Sequence, residues 1–248
     1  MSGHSKWHSI KHAKGAADSA RGKLFARLAR QIEVAAREGG SGDVEGNPTL
    51  RTMVQKARDS SMPKENIERA VKKGTGELEG VDYVDVLYEA YGPGGVALMI
   101  QALTDNATRT VAEVRAKLSR SNGNLGATNS VAFMFDRKGQ IYVAAGAMDE
   151  DVAMERALEA GAEDFQREDD TFVISTTPAD LHAVRQALEE VGLKATEAEL
   201  AWVPKNTVRV EGSNAQVLLK LIEALEDLDD VQKVDANFEM DDAELESA

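Results

Sequence analysis

The chain has 248 residues and no cysteine, with 42% apolar and 5% aromatic residues, and 29 basic against 43 acidic side chains give a net charge of −14. Without cysteine there is no disulfide framework, no thiolate nucleophile and no cysteine-based zinc or iron–sulfur site, so packing must stabilise the fold. No apolar run approaches the roughly 18 residues of a membrane span, and the length suits a soluble globular protein of more than one domain. The average charge conceals a division. Up to Gly74 there are 15 basic and 8 acidic residues, a net of +7, and beyond it 14 and 35, a net of −21. Such asymmetry points to a polyanion-binding segment joined to a differently employed remainder.

Leu24, Leu28, Ile32 and Ala35 recur at the spacing of one helical face, and Gly39-Gly40 ends that helix. Asn47-Pro48 is an N-cap followed by proline at the first helical position, with Leu50, Val54 and Ala57 as the apolar stripe. Met62-Pro63 closes this second helix and opens a third, which stops at Gly74. Three short helices with few large apolar residues predict a small bundle that leans on its neighbours for stability.

From Tyr83 the pattern changes to strands. Tyr83 to Tyr91 and Val96 to Leu103 flank Gly92-Pro93-Gly94-Gly95, the signature of a hairpin with a glycine-rich loop. Asn106 then caps a helix with the stripe Val111, Val114 and Leu118 and a stop at Asn122-Gly123, followed by a strand from Val131 to Phe135. The stretch 140–202 predicts a complete βαββαβ, its second helix capped by Thr177 with Pro178 at the first position and Leu181, Val184, Leu188 and Val191 as the stripe. A strand at Thr207 to Glu211, a helix with Ser213 and Gln216 as a capping box, and a strand at Val231 to Phe238 follow.

Segments 96–135 and 206–238 each read βαβ, so joining them makes another βαββαβ with the 140–202 unit lying in its central connection. The expected class is α+β: an N-terminal three-helix domain followed by two ferredoxin-like βαββαβ domains, one inserted in the other. The expected boundaries are a basic helical domain at 1–76, a discontinuous α/β domain at 81–137 and 204–240, an inserted domain at 138–203, and a frayed acidic tail at 241–248.

The densest chemistry lies at the N terminus, where seven cations stand against one acid, Asp18, in the first thirty residues. Lys6, Lys11, Lys14, Arg21, Lys23, Arg27 and Arg30 are candidate phosphate ligands, His8 and His12 supply donors, and Trp7 offers a flat ring for an unstacked base. A basic, serine-containing, acid-poor N terminus also fits a mitochondrial transit peptide by composition. His4, His8 and His12 would align on a helix, but interleaved cations repel a divalent metal, and no metal or cofactor is expected. Helices two and three fit a helix-turn-helix in spacing, and Lys64, Arg69, Lys72 and Lys73 make the third a candidate phosphate-facing surface.

Asp105, Asn106, Arg109 and Thr110 form a polar loop after a buried strand, a candidate anion or partner contact, although Asp105 and Asn106 also serve simply as helix caps. Acid clusters at Glu163-Asp164, at Glu168-Asp169-Asp170 and at Asp227, Asp229 and Asp230 read as solvated surface that repels nucleic acid from the α/β part. No nucleophile constellation is present, so no enzyme and no small-molecule substrate is expected.

Gly3-His4-Ser5-Lys6-Trp7, Ile10-Lys11-His12, Asn47-Pro48 with Leu50-Arg51, Met62 to Ala70, Tyr88 to Gly95, and Thr104-Asp105-Asn106 with Arg109-Thr110 together resemble the YebC/PmpR family. That family includes the mitochondrial translational activator of cytochrome c oxidase subunit I. The resemblance spans essentially the whole chain and departs at Ala107-Thr108, where the family carries Arg or Asn. It implies three domains and a cytoplasmic, non-enzymatic, DNA-binding transcriptional regulator. It also implies the alternative of a ribosome- or RNA-binding translation factor acting at proline-rich stalls. The expected partner is therefore nucleic acid, either duplex DNA or ribosomal RNA, with no membrane involved.

Overall fold

The computed structural model describes residues 18–241 together with 244 and 245, with side chains from residue 21 onward. Among the described residues, helices α1 (Asp18–Glu38), α2 (Pro48–Asp59) and α3 (Lys64–Gly74) come first. Leu28, Ile32, Ala35 and Ala36 of α1 bury their side chains against Leu50, Val54, Ala57, Met62, Ile67 and Ala70. Asn47 is buried and joins two helices. Its Oδ1 accepts from Leu50 N at 3.0 Å, capping α2, while its Nδ2 donates to the Ala35 carbonyl at 2.8 Å. A cap of this kind contributes about 1 kcal/mol. At Gly74 a Cβ would lie 2.3 Å from the Glu33 carbonyl oxygen, so only glycine lets the end of α3 approach α1 this closely.

Strands β1 (Val84–Tyr91) and β2 (Ala97–Thr104) form the expected antiparallel hairpin, with Tyr91 opposite Ala97. The loop between them needs Gly94 and Gly95 at φ +75° and +78°. Helix α4 (Ala107–Arg120), strand β3 (Asn124–Leu125), helix α7 (Ser213–Glu226) and strand β9 (Val231–Ala236) complete this region, whose sheet order is β3-β1-β2-β9. Leu98 and Ile100 of β2, Val114 and Leu118 of α4, and Leu218 and Leu221 of α7 share one core. Inserted before α7 are β4 (Phe135–Ala144), α5 (Glu150–Glu159), β5 (Asp164–Glu168), β6 (Thr171–Thr176), α6 (Leu181–Glu190) and β7 (Ala195–Pro204). Their sheet order β5-β6-β4-β7 is that of a ferredoxin-like βαββαβ, closed around Ile141, Phe172, Ile174, Val184 and Leu188. Asp136–Val203 forms one compact unit, and the described residues before and after it form the other.

The class is α+β, with N-terminal helices, three among the described residues, and two ferredoxin-like sheets, but several strands and caps differ from the sequence expectation. The first sheet takes its third ferredoxin strand from β1, not from 207–211. Those residues supply only β8 (Val208–Arg209), which pairs in parallel with β10 (Phe238–Glu239). The expected strand at Val131 to Phe135 is mostly a 3-10 turn at Ala132–Met134. The Glu89 carboxylate takes the N–H groups of Asn129, Val131 and Ala132 that a strand ladder would need there. Thr177 and Pro178 form a turn ahead of α6 and not its cap, the Thr177 hydroxyl accepting from Asp180 N at 3.2 Å. Ser213 is the first residue of α7 and caps nothing; the Gly212 N–H before it donates to Glu244 Oε1 at 2.6 Å. Leu245 is fully buried in the first sheet's core, so the expected fraying of the acidic tail does not reach it.

Candidate nucleic-acid interface

Lys6, Trp7, His8, Lys11, His12 and Lys14 lie outside the described residues. The remaining cations fall into two groups that meet different surroundings. On α1, Lys23, Arg27, Arg30 and Gln31 stand one or two turns apart, which places them along one side of the helix. That side meets the corner between α7 and β9. Lys23 Nζ lies 2.9 Å from Asp227 Oδ1, and both groups are largely exposed. Arg27 donates to the Glu226 carbonyl. Burial pulls its pKa below the usual arginine value, against the opposing pull of Glu226, Asp227 and Asp229. Arg30 donates to the Asp229 carbonyl and to Asp230 Oδ1, both at 2.9 Å, and Gln31 donates to Gln232 at 3.1 Å. Arg21 also has interactions of its own.

Asp230 corrects the reading of the last acid cluster as solvated surface. Asp227 and Asp229 are exposed, but Asp230 is only 3% exposed and is the point where four side chains converge. Its Oδ2 accepts from Arg109 at 2.6 Å, Thr110 at 2.8 Å and Thr104 at 3.1 Å, and its Oδ1 accepts from Arg30. Burial alone would raise its pKa. Hydrogen bonds from Arg109 and Thr110, together with the Arg109 charge, outweigh that and hold it below the usual aspartate range. The same contact, with Asp105 adding to it at 2.7 Å, raises the pKa of Arg109.

The polar loop thus already holds an anion, and that anion belongs to the chain. Asn106 caps α4 by accepting from Arg109 N at 3.1 Å, and its own N–H donates to Thr104 Oγ1 at 2.8 Å. Every residue proposed for that loop sits around Asp230 or orders the groups that do.

On α3 the surroundings are open. Ile67, Ala70 and Gly74 face inward, leaving Lys64, Arg69 and Lys72 exposed and Lys73 half-buried. Lys64 lies 3.5 Å from Glu68 in an exposed pair of little energetic weight. Among the described residues, Arg69, Lys72 and Lys73 have no carboxylate partner. Arg69 and Lys73 line a groove of about 370 Å³ with Asn66 of the same helix, Phe25, Ala29 and Arg30 of α1, and Tyr83. The Arg30 guanidinium stands 5.4 Å from the Tyr83 ring centroid. Glu33 also lines the groove, with its Oε1 accepting from Val81 N at 2.9 Å and from Arg37 at 3.3 Å. Among the described residues no group of His, Asp or Glu is arranged to hold a metal ion.

Sequence reasoning missed several buried carboxylates, among them Glu33, Glu89, Glu168 and Asp230, the last two read as solvated surface. Glu89 is buried in β1, where burial would raise its pKa but the backbone N–H groups of Val131, Asn129 and Ala132 prevail and lower it. An acid between Tyr88 and Ala90, at the buried end of a strand whose other acid, Asp85, is exposed, was the available signal. Asp230 gave none, because its partners stand more than a hundred residues away in the chain.

Residues 5–77 match the family model described as the TACO1/YebC protein N-terminal domain, and residues 83–238 match the TACO1/YebC second and third domain. A protein of Gemmatimonas aurantiaca named "Probable transcriptional regulatory protein" is 66% identical over the full length of both chains. A protein of Desulforapulum autotrophicum with the same descriptive name is 52% identical over 98% of each. The crystal structure of a conserved hypothetical protein from Aquifex aeolicus superposes with a TM-score of 0.84 at 47% identity, covering 91% of this chain and 93% of that one. No described helix is long and apolar enough to cross a membrane.

Proposed function

Since the chain belongs to the TACO1/YebC family, we propose that it is a nucleic-acid-binding regulator of gene expression, acting as a DNA-binding transcriptional regulator. The observation that carries the proposal is the cationic face of α3. Arg69, Lys72 and Lys73 are presented without carboxylate partners among the described residues, in the half of the chain that bears the net positive charge. The names of the relatives support the regulatory reading. In this proposal the helical segment 1–76 contacts phosphates, aided by the N-terminal arm with Lys6, Trp7 and Lys11. The discontinuous domain at 81–137 and 204–240 carries the helical segment. The protein works in the cytoplasm without catalysis or cofactor.

Each phosphate neutralised by a lysine or arginine releases condensed counterions, so affinity falls linearly with salt on logarithmic axes. The test is duplex-DNA binding by the full chain across a salt series, repeated with ribosomes as competitor. A steep slope, with the protein staying on DNA, is the expected result. No DNA binding at near-physiological salt, or retention on ribosomes despite excess duplex DNA, overturns the transcriptional reading.

A further inference from the structure

The groove between α1 and α3 has features that a phosphate-gripping surface does not require. Arg69 and Lys73, one turn apart on α3, bring two cations to it, while Phe25 and Ala29 of α1 give it an apolar wall. Tyr83 contributes a second aromatic ring. That ring is held by the Arg30 guanidinium, which is itself anchored on Asp230 Oδ1 at 2.9 Å, so the ring is set in place before any ligand arrives. At about 370 Å³ the groove is far too small for a duplex and of the size that holds one small organic group.

We propose that this groove takes one unpaired nucleotide of a single strand. Its phosphate lies on Arg69 and Lys73, and its base lies against Phe25, Ala29 and Tyr83. Bases stack on aromatic rings with little regard to sequence, and cations beside such rings track the backbone. Asn66, on the same helix as the two cations, presents an amide to the base edge. Among the described residues Glu33 is the one anion on the lining, and its contacts with the Val81 N–H and Arg37 compensate its charge. The inference rests on the nucleic-acid reading above and adds the form of the ligand. Melted DNA and RNA supply the same chemical unit.

The full-length protein is titrated with single-stranded RNA of about 12 nucleotides, with single-stranded DNA of the same sequence, and with the DNA duplex. Each carries a central 2-aminopurine, whose emission reports the surroundings of the base. Ala29→Leu fills the groove with an aliphatic side chain that suits a helix and cannot stack, and Ala29→Ser is the control. The expected result is a loss of about tenfold or more in single-strand affinity for Ala29→Leu, with the 2-aminopurine response abolished. Duplex affinity stays within about twofold, and the serine variant behaves as the parent does. Should leucine disturb the helices, Tyr83→Leu carries the same test from a half-buried position. Unchanged single-strand binding by a folded variant overturns the groove and leaves the phosphate surface standing. Failure of the parent protein to bind any of the three overturns the nucleic-acid reading itself. A preference between the RNA and DNA strands identifies the source.

Discussion

On α1, Lys23, Arg27 and Arg30 meet the carboxylates and carbonyls where α7 turns into β9; on α3, Arg69, Lys72 and Lys73 meet none among the described residues. Composition treats the two sets alike, since both are basic residues at helical spacing in the positive half of the chain. Their surroundings separate them. The first set joins the helical bundle to the sheet that follows, and the second has no carboxylate partner among the described residues. The sharpest contrast is Arg30 against Lys73. Both line the same groove, but one is fixed to Asp230 and the other has no fixed anion among the described residues.

That contrast can be broken most severely at Asp230. Asp230→Ala leaves the Arg30 and Arg109 guanidiniums and two threonine hydroxyls without their shared acceptor, and should destabilise the protein by roughly 3 kcal/mol in urea unfolding. A loss below about 1 kcal/mol would mean that the helices dock by apolar packing alone. The same residue sets a pH signature. Its folded pKa lies below the unfolded value near 3.9, so its stabilisation is complete above that value and disappears as pH falls through the folded pKa. Asp230→Asn should flatten the acid limb of the stability curve, and an unaltered limb would contradict the assignment.

Reversing Arg69, Lys72 and Lys73 to glutamate should weaken duplex binding at least tenfold and lower the salt slope by about 2 to 3. Reversing Lys23 alone should change affinity less than twofold, and equal effects from both would erase the difference between the two helices. Gly74→Ala forces α3 off the Glu33 carbonyl and should cost about 1 to 3 kcal/mol, outweighing alanine's better helix propensity. The smallest effect belongs to Lys23→Gln. Its exposed pair with Asp227 should contribute no more than about 0.5 kcal/mol to thermal stability.

Local chemistry was legible in the sequence wherever it acts over a few residues. Asn47 and Asn106 cap the helices they precede, the hairpin turns at Gly92–Gly95, and the inserted βαββαβ follows its hydrophobic periods. Long-range competition was not legible. Residues 207–211 pattern as a strand as well as β1 does, and only the paired sheet decides that β1 lies between β2 and β3. Thr177-Pro178 carries a helix-start signal that the Asp180 turn overrides. The anion for Arg109 and Thr110 was invisible for the same reason: nothing near residue 109 announces a carboxylate at 230.

The sheet order also has a consequence for how the protein is made. Strand β2 is almost wholly buried, and one of its edges is closed only by β9, with Leu98 opposite Ala236. A growing chain therefore carries β1, β2 and β3 long before the strand that covers them exists. Leu98 and Ile100 lie along an unpaired edge of the kind that recruits foreign strands. The compact insert shortens the loop that must close, since it can collapse while the edge waits. Completion of residues 231–236 closes the sheet at the point where Asp230, immediately before them, reaches Arg30 and Arg109. A chain cut short by a few dozen residues would therefore lose the sheet edge and the anchor of the helical bundle together.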